Sequence, residues 1–106
     1  MKDKRSERFL RQAIIFKAFA HPIRLQLLDA LSRGERGVSY LQQILQITKT
    51  NLSQHLAVLK SAGLVTSRRA GRQVYCSLAT PQVSRVWVGV QGVVKFQDGR
   101  NRRVRR

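Results

Sequence analysis

TKTNLSQHLAVLKSAGL (Thr48 to Leu64) runs directly into VTSRRAGRQVYCSL (Val65 to Leu78). In the first segment Leu52, Leu56 and Leu59 recur at helical spacing, Thr48 is placed to cap the helix start, and Gly63 supplies a left-handed stop. In the second the period drops to two, with Val74, Cys76 and Leu78 on one strand face and Tyr75 and Ser77 on the other. Leu64 to Arg69 is the partner strand and Ala70-Gly71-Arg72 the turn, Gly71 taking any positive φ. A helix with an apolar inner edge and a small, polar outer edge therefore leads into an arginine-rich β-ribbon. That pairing suits a DNA groove better than it suits catalysis.

Before this unit, Ser6 to Ala20 reads as a first helix, with Phe9, Ala13, Phe16 and Ala20 in register and Leu10 and Ile14 widening the stripe. His21-Pro22 interrupts it, since proline disfavours helix at the residue before it and suits the first turn of the next. A second helix covers Pro22 to Ser32 and turns Ile23, Leu27, Leu28 and Leu31 inward. Glu35-Arg36-Gly37 reads as a linker, Ser39 as the cap of a short third helix, Tyr40 to Leu45, with Leu41 and Ile44 inward, and Gln46-Ile47 as a turn. A last helix, Thr80 to Gln97, carries Val83, Val86, Trp87, Val90, Val93 and Val94 at helical spacing. The expected fold is mainly α with a β-hairpin wing, a winged helix-turn-helix of order α-α-α-α-β-β-α. Residues 1–97 form one DNA-binding and dimerisation domain, and residues 98–106, DGRNRRVRR, form a basic tail expected to be disordered.

The charge narrows the partner. With 21 Lys and Arg against five Asp and Glu the chain carries +16, and no acid stands between Arg36 and Gln97. Such a field draws polyanions, and release of counterions from nucleic acid drives a salt-sensitive association. A lone Cys76 forms no internal disulfide, no cysteine pair has metal spacing, and no apolar run approaches the ~20 residues of a membrane span. A cytoplasmic protein with no metal, no cofactor and no membrane partner is expected. Scattered acids, no paired nucleophile and base, and no phosphate-binding glycine loop argue against an enzyme.

With about 100° per residue, and the core edge on Leu52, Leu56 and Leu59, the opposite edge falls on Thr50, Gln54, Ala57 and Ser61, flanked by Asn51, Ser53 and Val58. Gln and Asn pair with adenine, Thr and Ser serve either kind of base edge, and Ala meets a thymine methyl. Thr48 and Lys49 at the helix start hold a phosphate beside free N–H groups, and Lys60 adds a further cation. The ordinary alternative is a solvated helix face, which position between a short helix and a basic ribbon argues against. His55, on the flank, either reaches a phosphate or packs against the second helix, and packing is favoured. Arg68, Arg69 and Arg72 are placed on backbone or minor groove, since no nearby acid balances them in sequence.

AFAHPIRLQLLDAL (Ala18 to Leu31) and ITKTNLSQHLAVLKSAGLVTSRRAGRQVYCSL (Ile47 to Leu78) together resemble the ArsR/SmtB family of winged-helix repressors, over about Phe16 to Leu78. The resemblance implies a homodimer on a palindromic double-stranded operator, released by an inducer. Family members that sense arsenic or cadmium carry two thiols before the third helix, where this chain has Gly37 and Ser39. Members that sense zinc or nickel use Asp, Glu and His of the last helix, and Thr80 to Gln97 has none. The inducer is therefore expected not to be a metal, and its identity stays open. Cys76, alone, reads as a small core residue. Phe9, Ala13 and Phe16 with Val83, Val86, Trp87, Val90 and Val94 offer more apolar face than one small core covers. They either cover one another within a chain or form a dimer interface, which the resemblance favours. A general RNA- or nucleoid-binding protein working through its charge is the competing reading.

Overall fold

The computed structural model describes the backbone of residues 3–104 and the side chains of residues 3–100. Its helices are α1 (Lys4–Phe19), α2 (Pro22–Leu31), α3 (Val38–Leu45), α4 (Lys49–Ser61) and α5 (Gln82–Val104). Its strands are β1 (Arg36–Gly37), β2 (Val65–Ala70) and β3 (Gln73–Leu78), forming an antiparallel sheet of order β1-β3-β2.

Caps explain most of the helix starts. Asp3 Oδ1 accepts from Ser6 N at 2.8 Å and Glu7 sits in the first turn, so α1 begins two residues before the expected Ser6. His21 Nδ1 accepts from Ile23 N at 3.0 Å with Pro22 behind it, which starts α2 where the sequence places it. Thr48 Oγ1 accepts from Asn51 N at 3.1 Å and opens α4. Gln46 ends α3 at φ 53°, a left-handed conformation that makes the turn between the two helices tight. Gly63 at φ 75° ends α4 and turns the chain into β2.

Five expectations need correction. Arg36-Gly37 is a strand rather than a linker: Arg36 pairs with Cys76 and Gly37 with Tyr75, so the hairpin gains a third strand and β3 becomes the centre of the sheet. Gly37, without a side-chain cap, precedes α3, and Ser39 lies inside its first turn. Ile44 is 45% exposed, because Leu41, with Val38 and Leu45 partly buried beside it, takes the inward side of so short a helix. The residues after Gln97 are not irregular up to Val104: α5 continues through Asp98 and Gly99, because no proline follows and Arg is a good helix former. Arg105 and Arg106 lie outside the described residues. The hairpin turn is the two-residue Gly71-Arg72, with Ala70 still paired to Gln73 and Gly71 at φ 64°.

The core is one cluster. Leu27 and Leu28 of α2, Leu41 of α3, Leu52 and Leu59 of α4 and Cys76 of β3 are fully buried, and Leu56, Leu64 and Val65 close the cluster toward the wing. Phe19 at the end of α1 meets Trp87 of α5 with ring centroids 6.3 Å apart, so Val83 and Trp87 belong to this core. Burial pushes the Cys76 thiol above its ordinary pKa, which fits a small apolar core residue. Among the described residues no helix is long and apolar enough to cross a membrane, and no three His, Cys, Asp or Glu side chains come together as a metal site.

Candidate nucleic-acid interface

Burying Leu52, Leu56 and Leu59 fixes which side of α4 looks outward. Lys49, Thr50, Ser53, Gln54 and Ala57 line one shallow concavity of about 460 Å³ on that side. A second, of about 450 Å³, lies between α3, α4 and the wing, and there Lys49, Ser53, Ala57 and Lys60 meet Arg69 and Arg72. The two share Lys49, Ser53 and Ala57, so the helix face and the wing make one continuous basic surface. No acid borders either concavity. Asn51 is exposed on the flank, its N–H engaged by the Thr48 hydroxyl, and Thr48 acts as the cap of the helix.

Strand alternation separates the arginines. Arg69 pairs with Val74 and shares the sheet face of Cys76, toward α4, whereas Arg68 pairs with Tyr75 on the opposite face. There Arg68 Nε and Nη2 donate to Glu35 Oε2 and Oε1 at 2.8 and 2.7 Å, a bidentate ion pair, and its guanidinium lies 4.9 Å from the Tyr75 ring centroid. Ser77 Oγ donates to the same carboxylate at 3.3 Å. These hydrogen bonds, Arg68 first, hold the Glu35 carboxyl below its ordinary pKa. Arg68, expected to be an unopposed cation, is thus paired with an acid 33 residues earlier, and only the sheet brings the two together.

His55 faces α2 rather than the outer groove. Arg24 Nη1 stands 3.3 Å from His55 Nδ1, and because guanidinium only donates, the contact is a hydrogen bond when that nitrogen is unprotonated. The His21 ring packs against it at a centroid distance of 4.4 Å. Arg24 Nε is also held, donating to Ala18 O at 2.6 Å. Burial, then the charges of His21 and Arg24, push the His55 pKa below its ordinary value. The packing role is the one the structure supports.

Ser39 and Gln42 of α3 and Gln73 of β3 also line the second concavity. Polar residues at i and i+3 of the short helix carried that signal, which was hidden while Ser39 was read as a cap. Of the residues expected at a dimer interface, Phe9 and Phe16 of α1 are 52% and 59% exposed and Ala13 is exposed beside them. Val83 and Trp87 are buried within the chain, Val86 is packed against the core, and Val90 and Val94 line a groove toward α2 and α3. Val90 and Val94, with Val88, Val93 and Phe96 of the same helix, stay about half exposed or more, so the chain's own packing covers the Val83–Trp87 part of α5 and leaves its outer part open.

A tri-helical core, a helix-turn-helix and a three-stranded wing define the winged helix-turn-helix class. Residues 21–67 match the family described as bacterial regulatory protein, arsR family. The chain is 42% identical over 74 residues to the biofilm growth-associated repressor of Agrobacterium fabrum, covering 70% of this chain and 63% of that protein. Rv0081 of Mycobacterium tuberculosis superposes with a TM-score of 0.80 at 31% identity, covering 88% of this chain and 94% of that one. A homodimeric winged helix-turn-helix DNA-binding domain, Mb0332 of Mycobacterium bovis, gives a TM-score of 0.80 at 36% identity, covering 90% and 88%. The chain belongs to the arsR family of bacterial regulatory proteins. It spans less than two thirds of the length of the curated repressor it matches.

Arg72→Ala is expected to reduce the slope of log K against log salt by about 1, as one phosphate contact is lost, whereas Arg68→Ala leaves the slope unchanged. Equal slopes for the two variants on one duplex, measured across a salt series, overturn this assignment of faces. A second outcome concerns pH. His55 has a folded pKa below its unfolded value, so its neutral form adds stability above pH ~6.5 that is lost as pH falls toward the folded pKa. Melting temperatures from pH 8 to 5 are expected to fall more steeply for the native chain than for His55→Gln; parallel curves rule the cluster out as the source.

Proposed function

We propose that the chain is a sequence-specific, double-stranded DNA-binding transcriptional regulator that acts as a homodimeric repressor. The observation that carries this reading is the single acid-free surface joining Thr50, Ser53, Gln54 and Ala57 of α4 to Lys49, Lys60, Arg69 and Arg72. Gln54, Thr50 and Ser53 supply short hydrogen-bonding groups for base edges, Ala57 meets a thymine methyl, and the cations take phosphates. The absence of long side chains at the centre of the outer face lets α4 enter a major groove to its backbone.

Dimerisation rests on α1, where Phe9, Leu10, Ile14 and Phe16 are each about half exposed or more. Among the described residues Arg5 and Arg8 lie over the Phe9 ring and the row otherwise stays open, and an isologous pairing of two such faces would cover it. The Mycobacterium bovis domain of the same fold is homodimeric, in keeping with this reading. Two α4 helices would then read half-sites roughly 34 Å apart, one helical turn, which makes the operator a palindrome. Repression follows from excluding polymerase, and an inducer acts by favouring the dimer state whose reading heads are mis-spaced. These roles belong to the cytoplasm, where the operator is.

Selection from a random duplex pool is expected to enrich a short palindrome; a pool with no enriched sequence favours a general nucleic-acid-binding protein instead. On the selected duplex Gln54→Ala costs about 1 to 3 kcal/mol and costs little on random DNA. Equal losses on both would remove base readout from α4. In sedimentation equilibrium, Phe9→Glu combined with Phe16→Glu shifts the protein to monomer, and an intact dimer rejects the α1 face.

A further inference from the structure

The chain has two histidines, and the structure brings both to one junction. His21, which precedes α2, and His55, in the middle of α4, pack with ring centroids 4.4 Å apart. Arg24 of α2 completes the group: Nη1 stands 3.3 Å from His55 Nδ1, Nε donates to Ala18 O at 2.6 Å, and Nη2 donates to Lys17 O at 3.3 Å. One guanidinium thus ties the end of α1 to α4, the helix that carries the outer polar face. His21 adds a second dependence on protonation, because its Nδ1 caps α2 by accepting from Ile23 N at 3.0 Å.

We propose that this junction is a proton-operated device, in which acid frees α4 from its tie to the end of α1 and so lowers discrimination for the operator. The tie needs an unprotonated Nδ1 on His55, and the α2 cap needs one on His21, since both nitrogens serve as acceptors. A proton on His55 sets a donor against the Arg24 donor and a cation beside a cation. A proton on His21 does the same to the Ile23 N–H, at a helix start that disfavours positive charge. No counter-ion stands ready to offset either. Lys17 and Arg24 line the hollow between α1 and α4, which no acid borders; α3 carries no charged residue, and those of β2 are Arg68 and Arg69. Glu7 is in the first turn of α1, at the far end from Lys17, and Asp29 of α2 is 3.9 Å from Arg33.

Burial, then the charges of His21 and Arg24, hold the His55 pKa below its unfolded value, so the junction is intact above pH ~6.5 and is lost as pH falls through the folded value. No other side chain competes for that range. Lys and Arg titrate well above it and Asp and Glu below it, Glu35 is held lower still by Arg68, and burial pushes Cys76 upward. A response between about pH 5 and 7 therefore belongs to the junction. Hydrogen bonds to base edges demand close placement of α4, whereas attraction to phosphates does not, so freeing α4 erodes operator binding and spares random DNA. That output rests on the DNA-binding reading; the response of the junction to acid does not.

The full chain without DNA, titrated from about pH 7.5 to pH 5 and followed by NMR, tests the device itself. The two histidine rings, the amide of Phe19 beyond the Ala18 carbonyl, and the amides of Lys49 to Ser53 are expected to shift with one shared midpoint. In the variant His21→Asn combined with His55→Gln those amides are expected to stay still, because Asn still caps α2 and the Gln oxygen still accepts from Arg24. Circular dichroism confirms that the variant is folded. Shifts confined to residues 20–23 and 54–56, or equal shifts in the variant, overturn the proposal. With DNA, the ratio of affinity for the selected duplex to that for a random one is expected to fall by up to about tenfold per pH unit below the His55 pKa, and to stay level in the variant. Reciprocity then requires a lower His55 pKa on the selected duplex than on the random one. A level ratio in the native chain, or equal His55 pKa values on the two duplexes, overturns the proposal. A shared titration with no duplex selected counts against the DNA reading alone, and a selected duplex with no shared titration counts against the junction alone.

Discussion

The leucine edge of α4 is the constraint on which the remaining architecture depends. Leu52 and Leu59 are wholly buried with Leu27, Leu28, Leu41 and Cys76, and each such side chain contributes about 1.5 to 3 kcal/mol by leaving water. One helix edge is thus gripped by α2, α3 and the sheet at once. Because a helix has only one opposite edge, that grip alone determines that Thr50, Ser53, Gln54 and Ala57 face outward. The polar character of the reading face does not orient the helix; the apolar character of its back does.

The same seam carries the wing. Cys76 is in the core and belongs to β3, so the central strand of the sheet is anchored from inside, and β1 and β2 hang from its two sides. Alternation along β2 then places Arg69 toward the helix face and Arg68 away from it. A slip of one residue in this register would exchange them, leaving Arg69 beside Glu35 and Arg68 beside α4. The bidentate pair of Glu35 with Arg68 opposes that slip, and with Ser77 of β3 bonded to the same carboxylate it spans the sheet from the start of β1 to β2.

What could be read from the sequence was local. The caps at His21 and Thr48, the glycine stop at Gly63, the α4 edges and the alternation of β3 each depend on residues a few positions apart, and all are present. What escaped depends on pairing at long range. Two residues, Arg36-Gly37, have no strand signal of their own and become a strand only because β3 offers a free edge. Arg68 looked unopposed because its acid stands 33 residues away in the chain. The stripe on α5 was visible, but a stripe does not say what covers it: Trp87 meets Phe19 of the same chain, and Val83 joins the same core cluster. Within the expected contact list, Arg68 and His55 are the two whose side chains the structure pairs elsewhere, with Glu35 and Arg24, residues distant in the chain.

Glu35 and Arg36 connect these two halves of the molecule. Successive side chains of extended backbone point to opposite sides, and here Glu35 reaches the outer sheet face to hold Arg68 while Arg36 turns to the α2-α3-α5 groove over Tyr40. One peptide unit therefore separates a residue that braces the wing from one that borders the apolar groove. A displacement of Arg36 cannot leave Glu35 in place without straining the β1 pairing to Tyr75 and Cys76. The segment between α2 and α3 is thus held from both faces of the sheet, by Arg68 and Ser77 on one and by Tyr40 on the other.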